Sequence, residues 1–205
     1  MRYLTRLVPA LVAGLMLSAC AGKVRTYVDT QYHRANWDNI QQMANPVPVD
    51  VAVQFQENGK PKSSVDTGLK SDVENILRRS RVFMPAGGNM ATGTITVVAN
   101  NLADIAAAKH QGRHAALSFG SANELVRDNY VFEVTYKSRD GHRFQHSYNH
   151  RLVSTFGDTK VPKDLSPVTL AAGFQQVVRD VMLNFIQDWQ NNRQVARSVP
   201  PSHGR

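Results

Sequence analysis

Apolar and polar residues alternate in two parts of the chain, and this pattern predicts β-strands with one buried face. The first alternation covers residues 47–55 (VPVDVAVQF), and the second covers residues 130–136 (YVFEVTY). The turn formed by Asp140-Gly141 follows the second strand and predicts a hairpin whose return strand runs over about residues 142–155. The β-branched run at residues 92–99 (TGTITVVA) predicts a further strand. We therefore expect a sheet of about four strands.

Two other segments carry apolar residues at helical spacing. The first predicts a helix over about residues 67–79, with Asp66 as a candidate cap. Ser166 and Pro167 predict the start of the second helix, which continues to about Asn191. This second helix has a continuous apolar stripe, formed by Leu170, Phe174, Val177, Val178, Val181, Met182, Phe185, Ile186 and Trp189. Such a stripe predicts that the helix covers a sheet or another helix.

The predicted elements follow the order β-α-β-(insert)-β-β-α. This order favours a two-layer α+β domain over residues 47–191, with a mixed or antiparallel sheet covered by helices. The insert, residues 100–128, shows no clear period, and both a short helix with a loop and a long hairpin fit it. Because long irregular inserts are often functional, we expect this one to contact a partner.

Both flanks of the domain differ from it in composition. Residues 20–46 are predicted to form a tether with a short helix from Asn36 to about Ala44, where Trp37, Ile40 and Met43 share one face. Residues 192–205 contain Pro200-Pro201 and several arginines, and we expect a disordered basic tail.

The first twenty residues have the layout of a secretory signal peptide. Arg2 and Arg6 supply positive charge, residues 7–17 form an apolar run, and two small residues precede Cys20, which is the one cysteine of the chain. The apolar run is shorter than the roughly 20 residues of a membrane-spanning helix. A lone cysteine has no partner for an internal disulfide, so its position after the small residues favours a different role.

The sequence Leu17-Ser18-Ala19-Cys20 resembles the lipobox of bacterial lipoproteins. This resemblance implies that residues 1–19 are removed, that the Cys20 thiol carries a diacylglycerol and that the new amino group is acylated. In Gram-negative members an Asp after the cysteine usually signals retention at the inner membrane, whereas here Ala21 follows. The resemblance therefore implies the periplasmic side of the outer membrane. The order of elements is also similar to that of small outer-membrane lipoproteins with a periplasmic α+β domain.

The basic composition changes the set of expected partners. The chain has a net charge of +8, which falls to +6 when Arg2 and Arg6 leave with the signal peptide. A basic surface suits contact with anionic lipid, lipopolysaccharide or peptidoglycan. Nucleic acid is not expected, because the export signal separates the protein from it. Arg78, Arg79 and Arg81 lie at the end of the first helix, where positive charge complements the helix dipole.

Histidines are the candidate metal ligands. His110 and His114 are four residues apart, a spacing that suits one metal ion if the segment is helical. His142, His146 and His150 share one face of the return strand, but His146 and His150 would lie about 13–14 Å apart along it. A metal-binding or small-ligand module that uses His110, His114, His146 or His150 is therefore the alternative hypothesis for function.

The sequence offers no convincing catalytic set. Residues 119–122 (FGSA) lack the second glycine of a nucleophile elbow. Asp72 and Glu74 lie on different faces of the predicted helix, so we interpret them as solvated charges. We expect no cofactor and no enzyme activity. The leading hypothesis is a membrane-anchored envelope lipoprotein that acts as a non-enzymatic binding or assembly accessory module for another envelope protein.

Overall fold

The computed structural model describes residues 25–103, 124–156 and 165–198, so Cys20, His110 and His114 lie outside the described residues. Within these ranges the chain forms a mixed α+β fold with one large sheet and two helices. The strands are β1 (Arg25–Val28), β2 (Val47–Glu57), β3 (Lys60–Pro61), β4 (Phe83–Pro85), β5 (Gly93–Ala103), β6 (Glu124–Ser138) and β7 (Arg143–Phe156). The helices are α1 (Asp66–Ser80) and α2 (Leu170–Ser198).

The sheet is mostly antiparallel and has the order β1-β7-β6-β5-β2-β3, with β4 alongside β2. Strand β2 runs parallel to β4 and β5, and α1 lies between β2 and β4 in the chain. The described sheet has seven strands, so the expectation of about four was wrong. The three additional strands, β1, β3 and β4, have only two to four residues each. Segments this short cannot show a period of two, and only pairing with longer neighbours makes them strands.

The expected insert at residues 100–128 is shorter than the sequence indicated. Strand β5 continues to Ala103, which pairs with Asp128, and β6 already begins at Glu124. The polar residues Asn100 and Asn101 therefore belong to the ladder between β5 and β6. The sequence did not indicate that these two residues belong to a strand, because strands are recognised by alternating apolar residues and both side chains are polar. The remaining part, residues 104–123, lies outside the described residues.

The segment expected to be a tether contributes to the folded body. Strand β1 is an edge strand in which Arg25 pairs with Thr155 of β7. The expected helix from Asn36 to Ala44 is instead a single 3-10 turn, Trp37–Asn39. Distant residues supply partners on both sides of this turn: the Ala35 backbone N–H donates to the side-chain oxygen of Asn184 on α2, at 2.7 Å, and the Met43 backbone N–H donates to Arg81 O, at 3.1 Å. A local pattern cannot reveal such a partner.

The core lies between one face of the sheet and the two helices. The apolar stripe of α2 is buried from Val177 to Trp189, whereas Phe174 is partly buried and Leu170, the first residue of the helix, is exposed. Phe132, Val134 and Leu152 meet the stripe from the sheet. Burying a side chain such as Phe132 contributes about 1.5–3 kcal/mol. The opposite face of the sheet is polar and exposed at Glu133 and Gln145. The fold is thus a two-layer arrangement with one covered face.

Helix α2 differs from its prediction at both ends. It begins at Leu170, and the Thr169 hydroxyl accepts a hydrogen bond from Ala172 N, at 3.2 Å, so Thr169 rather than Ser166 caps it. It continues to Ser198, beyond the expected end at Asn191. Residues 192–198 are therefore helical rather than part of a disordered tail. No helix in the described part of the chain is long and apolar enough to cross a membrane.

Candidate functional site

His146 and His150 share one face of β7, as predicted, and this face lies against α2, whereas His142 precedes the strand. His146 Nδ1 lies 3.7 Å from Asp188 Oδ2, whereas His150 Nε2 lies 3.4 Å from Asp180 Oδ2. The two histidines therefore meet different carboxylates. Across residues 25–103, 124–156 and 165–198, no group of three or more His, Cys, Asp and Glu residues is placed to hold a metal ion. The part of the metal hypothesis that rests on His110 and His114 stays a prediction.

His146 belongs to a surface cluster at the end of the two-layer contact. Its ring stacks on Tyr148, with 4.9 Å between ring centroids. The Tyr148 hydroxyl donates a hydrogen bond of 2.7 Å to Asp188 Oδ2. Burial, followed by this bond to a carboxylate, raises the pKa of Tyr148 above its ordinary value. The phenol therefore stays protonated and holds Asp188 against β7.

His150 belongs to a buried polar cluster between β7 and α2. Its Nδ1 accepts a hydrogen bond from the Arg151 backbone N–H, at 2.8 Å, which leaves the proton of a neutral ring on Nε2, facing Asp180. Tyr32 stacks on the other side of the ring at 5.1 Å between centroids. Because the His150 side chain is 1% exposed, this group is part of the interior rather than a site open to ligands.

Two arginines complete the surroundings of Asp180. Arg34 Nε lies 3.5 Å from Asp180 Oδ2, and Arg179 Nη2 lies 3.5 Å from Asp180 Oδ1. The Asp180 side chain is only 4% exposed, so these cations balance a buried negative charge. The cluster ties α2 both to β7 and to the chain segment that carries Arg34.

That segment, residues 29–46, is called the strap below. The Asn184 side chain makes two hydrogen bonds to the strap backbone. The Asn184 side-chain oxygen accepts from Ala35 N, and the Asn184 amide donates to His33 O at 2.8 Å. The Gln190 side-chain oxygen accepts from Gln41 N at 3.2 Å, and Gln190 lies six positions after Asn184 on α2. The strap thus lies along α2. Side-chain amides of α2, rather than the backbone of a neighbouring strand, bind the backbone of the strap.

A groove between α1 and α2 is the best candidate for a ligand or partner site. The strap forms one wall of this interhelical groove through Trp37, and the guanidinium of Arg79 lies over the Trp37 ring at 4.3 Å. The groove has a volume of about 380 Å³. Its lining combines apolar side chains, which include Trp37, Ile76 and Val168, with the polar side chains of Asp72, Asn75, Arg79, Gln175, Gln176 and Arg179. A second depression of about 250 Å³ lies on the other side of the Trp37–Arg79 pair.

The side chains that line the interhelical groove suit the binding of anionic and polar groups. Gln175 Nε2 lies 3.4 Å from Asp72 Oδ1, and burial raises the pKa of the Asp72 carboxyl despite this hydrogen bond. The groove therefore combines two guanidinium groups, amide donors and acceptors and one aromatic ring. Guanidinium groups bind carboxylates and phosphates, and amides bind polar groups of either kind.

The sequence did not reveal this groove. Arg79 was interpreted as a charge that complements a helix end, and Asp72 as a solvated carboxylate. Trp37 and Arg179 are separated by 142 residues, and the strap, α1 and α2 meet only in the folded chain. No local signal in these segments points to a shared site.

Comparisons with known proteins give similarity to solved structures only. No protein-family model and no curated protein matches the sequence. The fold is similar to a candidate neuraminyllactose-binding hemagglutinin homolog from Helicobacter pylori, with 9% identity over 84% of this chain and 99% of that chain, at a TM-score of 0.42.

Two further structures are similar at comparable levels. One is a candidate lipoprotein from Caulobacter crescentus CB15, with 11% identity over 74% of this chain and 93% of that chain, at a TM-score of 0.31. The other is a DUF4136 family protein from Bacteroides thetaiotaomicron, with 9% identity over 81% of this chain and 97% of that chain, at a TM-score of 0.32. At these identities and TM-scores the likeness assigns neither a function nor a site.

Proposed function

We propose that this protein is a lipid-anchored lipoprotein of the bacterial envelope whose domain acts as a non-enzymatic binding or assembly accessory module. The anchor is Cys20, and the domain lies on the periplasmic side of the outer membrane. The N-terminal lipobox supports the anchor. The interhelical groove supports the binding role, because it brings arginines, amides and the Trp37 ring together in one concave surface.

The partner that we propose is another envelope protein. We propose that it contacts the interhelical groove or the segment 104–123, which follows Ala103 at the end of β5 and precedes Glu124 at the start of β6. Anionic lipid, lipopolysaccharide or peptidoglycan would add to the contact through the basic surface.

Photo-crosslinking in cells tests this proposal with the full-length protein. A photo-reactive amino acid is placed at Gln176 in the groove, at Gln111 in the segment 104–123, and at the exposed Gln145 on the uncovered sheet face as the matched control. We expect one envelope protein to be captured repeatedly from position 176 or 111 and not from position 145. Equal capture from all three positions, or capture of abundant proteins alone, would contradict an accessory module with a defined partner.

The anchor is tested separately. Mass spectrometry of the N-terminal peptide should show a diacylglyceryl and an acyl group on Cys20. The Cys20→Ser variant should move from the membrane fraction to the soluble fraction. An unmodified Cys20, or a Cys20→Ser variant that stays in the membrane fraction, would be incompatible with lipid anchoring.

A further inference from the structure

The strand register places the start of β1, the end of β5, the start of β6 and the end of β7 at one end of the sheet, called the proximal end below. The first residue of β1, Arg25, pairs with Thr155 near the end of β7, and Leu125 near the start of β6 pairs with the same residue. Strand β5 ends beside them, since Ala103 pairs with Asp128. The chain that comes from Cys20 and the segment 104–123 are therefore attached to the same end of the sheet.

The opposite end, called the distal end, carries different features. Here the hairpin turn around Asp140 joins β6 to β7, and β5 begins at Gly93, which pairs with Ser138. Strand β7 extends over the thirteen steps from Arg143 to Phe156. At about 3.3 Å per step, the two ends are therefore separated by roughly 43 Å.

The chain between the proposed anchor and the sheet is short. Cys20 precedes Arg25 by five residues. A fully extended chain spans at most about 3.6 Å per residue, so Arg25 lies within roughly 18 Å of the lipidated residue. This reach is less than half the length of β7, so the anchor keeps the proximal end near the membrane and leaves the distal end free to stand away from it.

We infer that the proximal end is a membrane-facing surface that rests on anionic phospholipid headgroups around the anchor; this inference rests on the proposed lipidation of Cys20. The exposed cations Lys60 and Arg127 lie at this end and make no ion pair with a described residue. Of the carboxylates at the same end, Glu57 is paired with Lys62 at 2.9 Å, and half-buried Asp128 accepts a hydrogen bond from the Asn101 side chain at 3.4 Å. Basic side chains near an anionic membrane surface favour association.

Charge alone does not select this end. The distal end also carries exposed basic residues, Lys137 and Arg143. The reach of the anchor decides between the two ends, so the preference should depend on lipidation. A partner that contacts the segment 104–123 would then be recruited next to the membrane, because Ala103 and Glu124 both lie at the proximal end.

The test uses the lipidated full-length protein in vesicles of phosphatidylethanolamine and phosphatidylglycerol. Lipidated Cys20 has no free thiol, so a single introduced cysteine can carry a nitroxide label. Arg127→Cys and Lys137→Cys form a matched pair, because both are exposed positions on the same strand and the same sheet face, ten residues apart. Lys60→Cys and Asn89→Cys form a second pair at the proximal and distal ends.

We expect nickel chelated to lipid headgroups to relax the labels at positions 60 and 127 severalfold more strongly than those at positions 89 and 137. In the Cys20→Ser background this difference should disappear. Equal or reversed relaxation in protein whose lipid is confirmed by mass spectrometry overturns the inference while the proposed anchoring stands. An absence of lipid on Cys20 overturns the proposed anchoring and this orientation together.

Discussion

His150 Nε2 lies 3.4 Å from Asp180 Oδ2, and the two side chains are 1% and 4% exposed. Removing one member of a buried charged cluster leaves its partners uncompensated, which costs about 3–5 kcal/mol. We therefore expect Asp180→Ala to lower the free energy of unfolding by about 3 kcal/mol, measured by urea denaturation. The exposed Asp38 provides the control, since Asp38→Ala should change it by less than about 0.5 kcal/mol. Similar small effects for both variants would show that the cluster does not stabilise the fold.

The two hydrogen bonds between the Asn184 side chain and the strap give a second prediction. Asn184→Ala removes both hydrogen bonds to the backbone of Ala35 and His33 and leaves buried groups unpaired, at a cost of about 1–3 kcal/mol. We expect hydrogen exchange to become faster in residues 33–41 while the central strands keep their protection. The exposed Asn192 on the same helix is the matched control. If Asn184→Ala left exchange in the strap as slow as in the Asn192→Ala variant, the strap would be held by other contacts.

Two carboxyls should affect the dependence of stability on pH with opposite signs. Burial raises the pKa of Asp72 above 3.8, so the folded state binds more protons than the unfolded state and stability falls as pH rises through the raised pKa. Hydrogen bonds from the Ser138 hydroxyl and the His142 backbone N–H lower the pKa of Asp140. The contribution of Asp140 is therefore present above 3.8 and is lost as pH falls through the lowered pKa.

Urea denaturation of Asp72→Asn and Asp140→Asn between about pH 2.5 and pH 6 checks these signs. Relative to the unmodified protein, Asp72→Asn should be the more stable at the upper pH and Asp140→Asn the less stable. Both differences should shrink towards the acid end. Differences of the same sign would contradict the assigned causes of the two pKa shifts.

Two glycines give a prediction about packing. A Cβ at Gly93 would lie 2.8 Å from Lys137 O and 2.8 Å from Tyr136 Cε2, so Gly93→Ala forces strands β5 and β6 apart. We expect a loss of about 1–3 kcal/mol in the free energy of unfolding. A Cβ at Gly68 meets open space in α1, so Gly68→Ala should stabilise by up to about 1 kcal/mol. Thermal unfolding of the two variants should shift in opposite directions, and a neutral Gly93→Ala would refute the close approach.

Long segments with a clear period were predicted well. The alternation at residues 47–55 lies within β2, and the apolar stripe of α2 from Val177 to Trp189 is the buried face of that helix. The order of the central elements and the two-layer arrangement followed from these patterns. Burial of one face imposes the period on the sequence itself, so it can be recognised without knowing what covers that face.

The candidate sites could not be predicted from the sequence in the same way. The spacing of His146 and His150 indicated a shared strand face, but only α2 assigns them to Asp188 and Asp180, respectively. Arg79 meets Trp37 because the strap crosses the end of α1, although the two residues are 42 positions apart in the chain. Contacts between distant segments leave no period in either segment.

The sequence by itself determined the lipobox resemblance at Cys20, the long strands and the long helices, because each depends on neighbouring residues. Only the tertiary structure decided that residues 25–46 join the body, that the short strands β1, β3 and β4 exist, and that the interhelical groove forms. The physical reason is that these features are stabilised by partners far away in the chain: Thr155 for Arg25, Asn184 for Ala35, and Arg79 for Trp37.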